Sequence, residues 1–217
     1  MNLHEFRDPS LLQTALTHGS YAAEHKVASN QRLEFLGDAV LKMLVAELLY
    51  RAFPGWPEGS LSTTLGYLVG NSHIGGLALE LGLADELRVG KGAALTGDRQ
   101  RLNVLADAFE AVIGAVYEDA GLDAVRASFG PLFAQRIAGL AVPIGDYKSS
   151  LQEREAKARR PLPEYRTVGT EGDEHDKLWL VQLRLGEETF GPVRAKSKRA
   201  AETELARLAL QGSNLGV

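Results

Sequence analysis

NQRLEFLGDAVL, residues 30–41, sets two carboxylates into an otherwise apolar segment. Glu34 and Asp38 are four residues apart, a spacing that stacks side chains on one face of a helix. A second segment, NVLADAFEAVIGAVY at 103–117, repeats the device with Asp107 and Glu110 three residues apart. The surrounding residues (Leu33, Phe35, Leu36, Val40, Leu41; Val104, Leu105, Phe109, Val112, Ile113) are of the kind a chain buries. Carboxylates held together in such surroundings repel and lose hydration, a cost that a cation removes. Oxygen donors converging from two helices suit a hard divalent cation, Mg²⁺ or Mn²⁺. A single acid pair reads first as the solvated stripe of an amphipathic helix. Two pairs, both flanked by small residues that allow close helix contact (Gly37, Ala39; Ala106, Ala108, Ala111, Gly114), favour a metal site.

Composition narrows the class. The 217 residues suffice for one large or two small domains. With 45% apolar and 24% charged residues, the chain matches ordinary globular proteins. The absence of cysteine excludes disulfides and thiolate metal sites, and leaves zinc only five scattered histidines. It also fits a reducing compartment. The opening MNLHEFRDPS carries acids and lacks a basic segment followed by an apolar one, so a cytoplasmic protein without a secretory signal is expected. The apolar runs near 39–49 and 111–117 are short or interrupted by Lys42 and Glu47, so no membrane span is expected.

A net charge of −4 argues against a nucleic-acid partner only when taken globally. Residues 1–145 hold 11 Lys and Arg against 16 Asp and Glu, whereas residues 146–217 hold 13 against 12. Within the second part, Arg194, Lys196, Lys198 and Arg199 place four bases in six residues with no acid. A basic footprint confined to a small domain is an electrostatic signal for nucleic acid.

Periodicity divides the chain at the same place. Apolar residues recur at helical spacing in 11–16, 33–50, 61–69, 74–81 and 104–117, with breaks at Asp8-Pro9, Phe53–Pro57 and Gly90–Gly97. No stretch alternates, so an all-α domain is expected over 1–141. Pro143 and Gly145 mark a linker within 139–146. A small α+β domain follows over 146–214, in the order α-β-β-β-α. Its helix spans 148–158; its strands are Tyr165–Val168, Lys177–Leu185 and Thr189–Arg194, with a turn at Glu187-Glu188. Trp179, Val181, Leu183 and Leu185 alternate onto one face, and Ser197 caps a closing helix with core residues Ala201, Leu205 and Leu208. Both tryptophans, Trp56 and Trp179, read as packing residues.

Other carboxylate or nucleophile chemistry finds no support. Di-iron bundles need Glu-x-x-His, but Gly37 and Ile113 stand three residues after Glu34 and Glu110. No Ser-His-Asp or Cys-His arrangement is present. GKGAALTG at 90–97 lacks the phosphate-loop spacing and reads as a flexible surface loop. His18 reads as a structural hydrogen-bonding group. Phosphodiester hydrolysis is the reaction most in keeping with clustered acids around a hard cation.

The wording of these segments resembles the ribonuclease III family. NQRLEFLGDAVL is close to that family's E-x-L-E-F-L-G-D signature, and ALTHGSY (15–21), PEGSLS (57–62) and LADAFEAVIGAVY (105–117) look like its other blocks in the same order. The C-terminal third resembles a double-stranded-RNA-binding domain. The resemblance implies a homodimeric endonuclease for double-stranded RNA that uses Mg²⁺, or Mn²⁺ in its place, without an organic cofactor. It implies Glu34, Asp38, Asp107 and Glu110 as metal ligands, Glu58 as a further acid near the cleavage site, and Phe35 as a residue that packs into the partner subunit. For RNA it implies Gln152 and Glu153 at one minor groove, His175 at the next, and Lys196, Lys198 and Arg199 at the phosphates between. The chain departs from the family at Gln31 (often a carboxylate), Leu65 (a base), Asn103 (a Ser), Asp173 (a proline) and Ala195 (a glycine), and Glu171, Asp173, Glu174 and Asp176 make the RNA-facing loop acidic. Gln31 and Leu65 leave open a catalytically dead protein that only binds duplex RNA; a helical structural protein of a ribonucleoprotein particle also remains open.

Overall fold

Both acid-bearing segments are helices in the computed structural model, which describes residues 4–140, 142–173 and 175–212. The chain divides into two units, Met1–Leu140 and Ala141–Val217. The outermost residues of the expected domains (1–3, 141, 213 and 214) and Glu174 of the expected acidic loop lie outside the described residues.

Helices α1 (Pro9–Ala15), α2 (Gly19–His25), α3 (Gln31–Ala52), α4 (Glu58–Leu68), α5 (Asn71–Glu80), α6 (Leu83–Glu86), α7 (Lys91–Leu95) and α8 (Leu102–Ala138) form the first unit. Asp8 starts α1 by accepting from the Ser10 N–H at 2.9 Å, with Pro9 at the first helical position. The longest helix, α8, is bent at Gly121, whose φ of 77° and ψ of −174° lie outside helical space. The rings of Phe109 and Phe129 meet edge to face at 5.5 Å, so the two arms of α8 pack on each other. With Leu41, Leu44, Leu105, Ile113 and Phe133 they form the centre of a continuous buried core.

Helices α3 and α8 cross where neither bears a side chain. A Cβ on Gly37 would lie 1.7 Å from the Glu110 carbonyl oxygen, and one on Gly114 would lie 2.1 Å from that of Leu33. Backbone therefore packs on backbone at the crossing.

The segment 90–97, expected as a flexible loop, is ordered instead. It contains α7, because the Glu24 carboxylate accepts from the Lys91 N–H (2.9 and 3.2 Å) and the Ser20 hydroxyl from the Gly90 N–H (2.9 Å). The Glu24 contact satisfies an orphan donor of a helix start.

The second unit runs α9 (Tyr147–Lys157), β1 (Glu164–Glu171), β2 (Leu178–Leu185), β3 (Glu188–Ala195) and α10 (Lys198–Leu210). Its antiparallel sheet has the order β1-β2-β3. Val181 and Leu183 are buried with Leu151 of α9 and Ala201 and Leu205 of α10. Strand β1 extends beyond the expected 165–168 because its register shifts between Thr167 and Gly169. That bulge leaves Val168 unpaired and 51% exposed, and the ladder resumes after it. The β2–β3 turn is Gly186-Glu187, one residue earlier than expected, with Leu185 paired to Glu188. Gly186 supplies the positive φ of 59° that this two-residue turn requires.

Gly114→Ala should destabilise the protein by about 1–3 kcal/mol or more, because neither backbone can yield to the new methyl. Gly66→Ala, whose methyl meets nothing within 4 Å, should be neutral or stabilising by about 0.5–1 kcal/mol. Urea unfolding of the two variants checks the contrast; equal effects would contradict a backbone contact at the crossing.

Candidate active site

The glycine crossing determines where the acids meet. Gly37 lies between Glu34 and Asp38 on α3, and its Cα faces the backbone of Glu110 on α8. Carboxylate oxygens of Glu34, Asp107 and Glu110 consequently lie within 4.8 Å of one another, a donor set that suits a single cation. Ala106, Ala108 and Ala111 fill the surroundings of the α8 acids and are fully buried.

Burial makes this cluster electrostatically strained. Glu110 is only 7% exposed. Loss of hydration, followed by the charges of Asp38, Asp107 and Glu34, pushes its carboxyl up to about 7, with Lys42 opposing. Glu34 is raised by burial and then by Asp107 and Asp38. Asp107 is raised by burial, against the opposing charge of His18. Loss of hydration raises all three acids, and at Glu34 and Glu110 the neighbouring carboxylates raise them further.

Asp38 stands apart from the three. Its carboxylate accepts from the Lys42 ammonium at 2.7 Å, one helical turn along α3. Lys42 was not singled out from the sequence, although its four-residue spacing from Asp38 made it visible. Glu58 is exposed at the first position of α4, where it accepts from the Ser62 hydroxyl at 2.7 Å; it lies outside the convergent set. Gln31 is exposed and accepts from Ser29 at 3.4 Å, and Leu65 packs against the core. His18 caps α2, with Nδ1 2.8 Å from the Ser20 hydroxyl. Phe35, on the same helix as Glu34, is 81% exposed and is no core residue of the chain.

In the second unit, Gln152 and Glu153 are exposed on α9, and His175 is exposed between β1 and β2. Lys196, Lys198 and Arg199 are exposed around the start of α10, where the Ser197 hydroxyl accepts from the Ala200 N–H at 3.1 Å. Cations at a helix N-terminus oppose its dipole, so the arrangement suits an anionic partner.

The two units match separate families of domain. Residues 8–136 match a ribonuclease-III-like domain, and residues 147–212 match the double-stranded RNA binding motif. These define an endoribonuclease joined to a module for double-stranded RNA. The chain is 41% identical over 214 residues to ribonuclease 3 of Bdellovibrio bacteriovorus, covering 96% of this chain and 91% of that one. It is 45% identical to ribonuclease 3 of Thiobacillus denitrificans over 214 residues, covering 95% of this chain and 91% of that one. The nuclease domain of Campylobacter jejuni ribonuclease III superposes with a TM-score of 0.58 at 34% identity, covering 63% of this chain and 93% of that domain. This chain belongs to the ribonuclease III family.

The Glu110 shift gives a signed prediction. Between its ordinary 4.5 and about 7, the metal-free folded protein holds a proton that the unfolded chain has lost. The stability this contributes is complete below 4.5 and disappears as pH rises through about 7. Without metal, Glu110→Gln should therefore melt higher than the parent at pH 8 and gain less at pH 5. Calorimetry in a chelator measures this, and a difference independent of pH would contradict the assignment.

Proposed function

We propose that this protein is a homodimeric, divalent-metal-dependent endonuclease that hydrolyses both strands of double-stranded RNA. The observation that carries the reading is the meeting of Glu34, Asp107 and Glu110 oxygens within 4.8 Å at a buried helix crossing. These three residues fit a hard cation by donor type, charge and proximity, and Asp38 joins them as a fourth ligand once released from Lys42. Mg²⁺ fills the role, with Mn²⁺ as a substitute. Glu34, Asp107 and Glu110 would hold the cation, which would supply the acidification of water and the offset of charge at the scissile phosphate. Water adds to phosphorus as the 3′ oxygen departs, leaving a 5′-phosphate and a 3′-hydroxyl. Glu58 acts near the cleavage site without joining the convergent donor set.

Cutting two strands requires two sites related by a two-fold axis. Phe35, Met43 and Tyr50 follow one side of α3 and are 81%, 48% and 73% exposed, a face suited to a second copy. In the Campylobacter jejuni nuclease domain, a structurally flexible region is involved in dimer formation. The second unit grips the duplex by shape, through Gln152, Glu153 and His175 in the minor grooves and Lys196, Lys198 and Arg199 at phosphates. By family resemblance, the enzyme works in the cytoplasm on ribosomal RNA precursors and in RNA turnover.

An end-labelled RNA duplex should be cut to staggered products with Mg²⁺ and left intact with a chelator. Binding without cleavage in either Mg²⁺ or Mn²⁺ would sink the nuclease reading. Glu110→Gln should reduce cleavage by roughly 100-fold or more while duplex affinity stays near that of the parent; a parallel loss of binding would contradict a metal-ligand role. Phe35→Ala should shift the dimer toward monomer in sedimentation experiments, and an unchanged dissociation constant would exclude Phe35 from the interface.

A further inference from the structure

Lys42 is the one base that the acid cluster already holds. Its ammonium lies 2.7 Å from an Asp38 carboxylate oxygen, and the two side chains are 52% and 38% exposed. Among the described residues, no lysine or arginine is ion-paired with Glu34, Asp107 or Glu110. The cluster's single lysine therefore sits on the acid that the convergent set leaves out.

An aspartate followed four residues later by a lysine is, on many helices, no more than a surface pair, with the acid on the favourable N-terminal side. Here the pair borders a site. Asp38 is close enough to the other acids for its charge to raise both Glu34 and Glu110, and the charge of Lys42 opposes that rise at Glu110. The ammonium thus acts on the buried acid of α8 as well as on the residue it is bonded to.

An ammonium and a divalent cation make different demands on Asp38. The ammonium donates hydrogen bonds and accepts none, so it neutralises one carboxylate without drawing the others into a shared shell. A hard divalent cation collects oxygen donors from several residues at once. A carboxylate oxygen bonded to Lys42 is withheld from such a shell until the bond opens. Opening needs no backbone movement, because the lysine stem is flexible and its head is half exposed to water.

We propose that Lys42 is a positioning residue that holds Asp38 in reserve, so that Asp38 becomes a metal ligand only in exchange for the ammonium, and that this exchange raises the concentration of divalent cation at which the site fills. The inference rests on the metal-site reading of Glu34, Asp107 and Glu110 and adds to it a competitor built into α3. Since Lys42 acts through Asp38, its removal matters only while Asp38 can serve as a ligand.

The test is Mn²⁺ binding to the full chain, followed by titration calorimetry without RNA, so that no readout depends on cleavage. Lys42→Gln should bind Mn²⁺ about two- to fivefold more tightly than the parent, the range expected for release of a partly exposed ion pair. Lys42→Arg rebuilds the pair and should stay near the parent. In an Asp38→Asn background, Lys42→Gln should bring little or no tightening, because the two residues act as a unit. Mg²⁺ should give the same order. Glu110→Gln measures ions held elsewhere on the chain, and melting in a chelator checks that every variant is folded before titration.

Equal affinities of Lys42→Gln and the parent would overturn the proposal and leave the contact an ordinary surface pair. Equal tightening by Lys42→Gln in the parent and in the Asp38→Asn background would also overturn it, since the ammonium would then act by its charge alone. Both results leave the metal-site reading in place. Parent binding no tighter than that of Glu110→Gln would overturn both.

Discussion

The contact on which the structure depends is the one without side chains, where Gly37 of α3 meets Gly114 of α8. The absence of two Cβ atoms lets the helix backbones approach to a distance that no other residue pair permits. Acids on adjacent turns of two helices would otherwise be kept apart by the radii of their own helices. At this crossing Glu34 is brought to Asp107 and Glu110 with oxygens within 4.8 Å. The site is therefore a property of the packing, and its geometry is as rigid as the helices that carry it. A cluster placed on loops could relax apart through its backbone when its charges repelled; here only the side-chain torsions are free to respond.

What holds the acids together is the opposite side of the same helices. Phe109 is the neighbour of Glu110 in sequence, and it packs in the core against Phe129 from the far arm of α8. Each buried phenylalanine contributes about 1.5–3 kcal/mol of transfer free energy. Withdrawing the acids from one another would withdraw these rings as well. The fold thus stabilises a charge arrangement that is unfavourable by itself, and Glu110, raised to about 7, records the residual strain. That strain has a direction. It is relieved by a proton at low pH, and a divalent cation held there would compete with that proton for one carboxylate.

Much of this was legible in the sequence, because the signals involved were local. Spacings of four and three placed the acids on helix faces, small neighbours indicated a close crossing, and alternation through Trp179–Leu185 marked a half-buried strand. Other features depend on interactions that no local pattern carries. The second arm of α8 is apolar at Leu122, Val125, Phe129, Phe133 and Ile137, yet Gly130 and Pro131 obscure its period, and only the φ of Gly121 reveals where the chain turns back. The 90–97 segment looked mobile because its order comes from Ser20 and Glu24, some seventy residues earlier. Val168 broke the alternation of β1 because bulges insert one residue without a compositional mark. Asp38 is grouped with the other acids by spacing and by the family resemblance, and the structure pairs its carboxylate with Lys42 at the same helical interval.

The two units handle charge in complementary ways, and the substrate explains why both belong in one chain. Double-stranded RNA is a polyanion, and the catalytic unit meets it with an excess of acids concentrated at the place of chemistry. Left alone, that unit repels what it must cut. A divalent cation held by the cluster would reverse the local sign only within the site, since screening confines its influence to about 8–10 Å at physiological salt. Attraction must come from elsewhere, and residues 146–217, nearly balanced at 13 basic to 12 acidic residues, supply it locally through the acid-free run Arg194, Lys196, Lys198 and Arg199 exposed around the start of α10. With capture assigned to the second unit, the catalytic unit needs few cations beside its carboxylates, where a lysine in place of a metal would neutralise the cluster without activating water. Lys42 shows how near that boundary lies, for its ammonium already occupies Asp38. The catalytic domain therefore gains by being acidic, provided that the capture of RNA is assigned to a second domain.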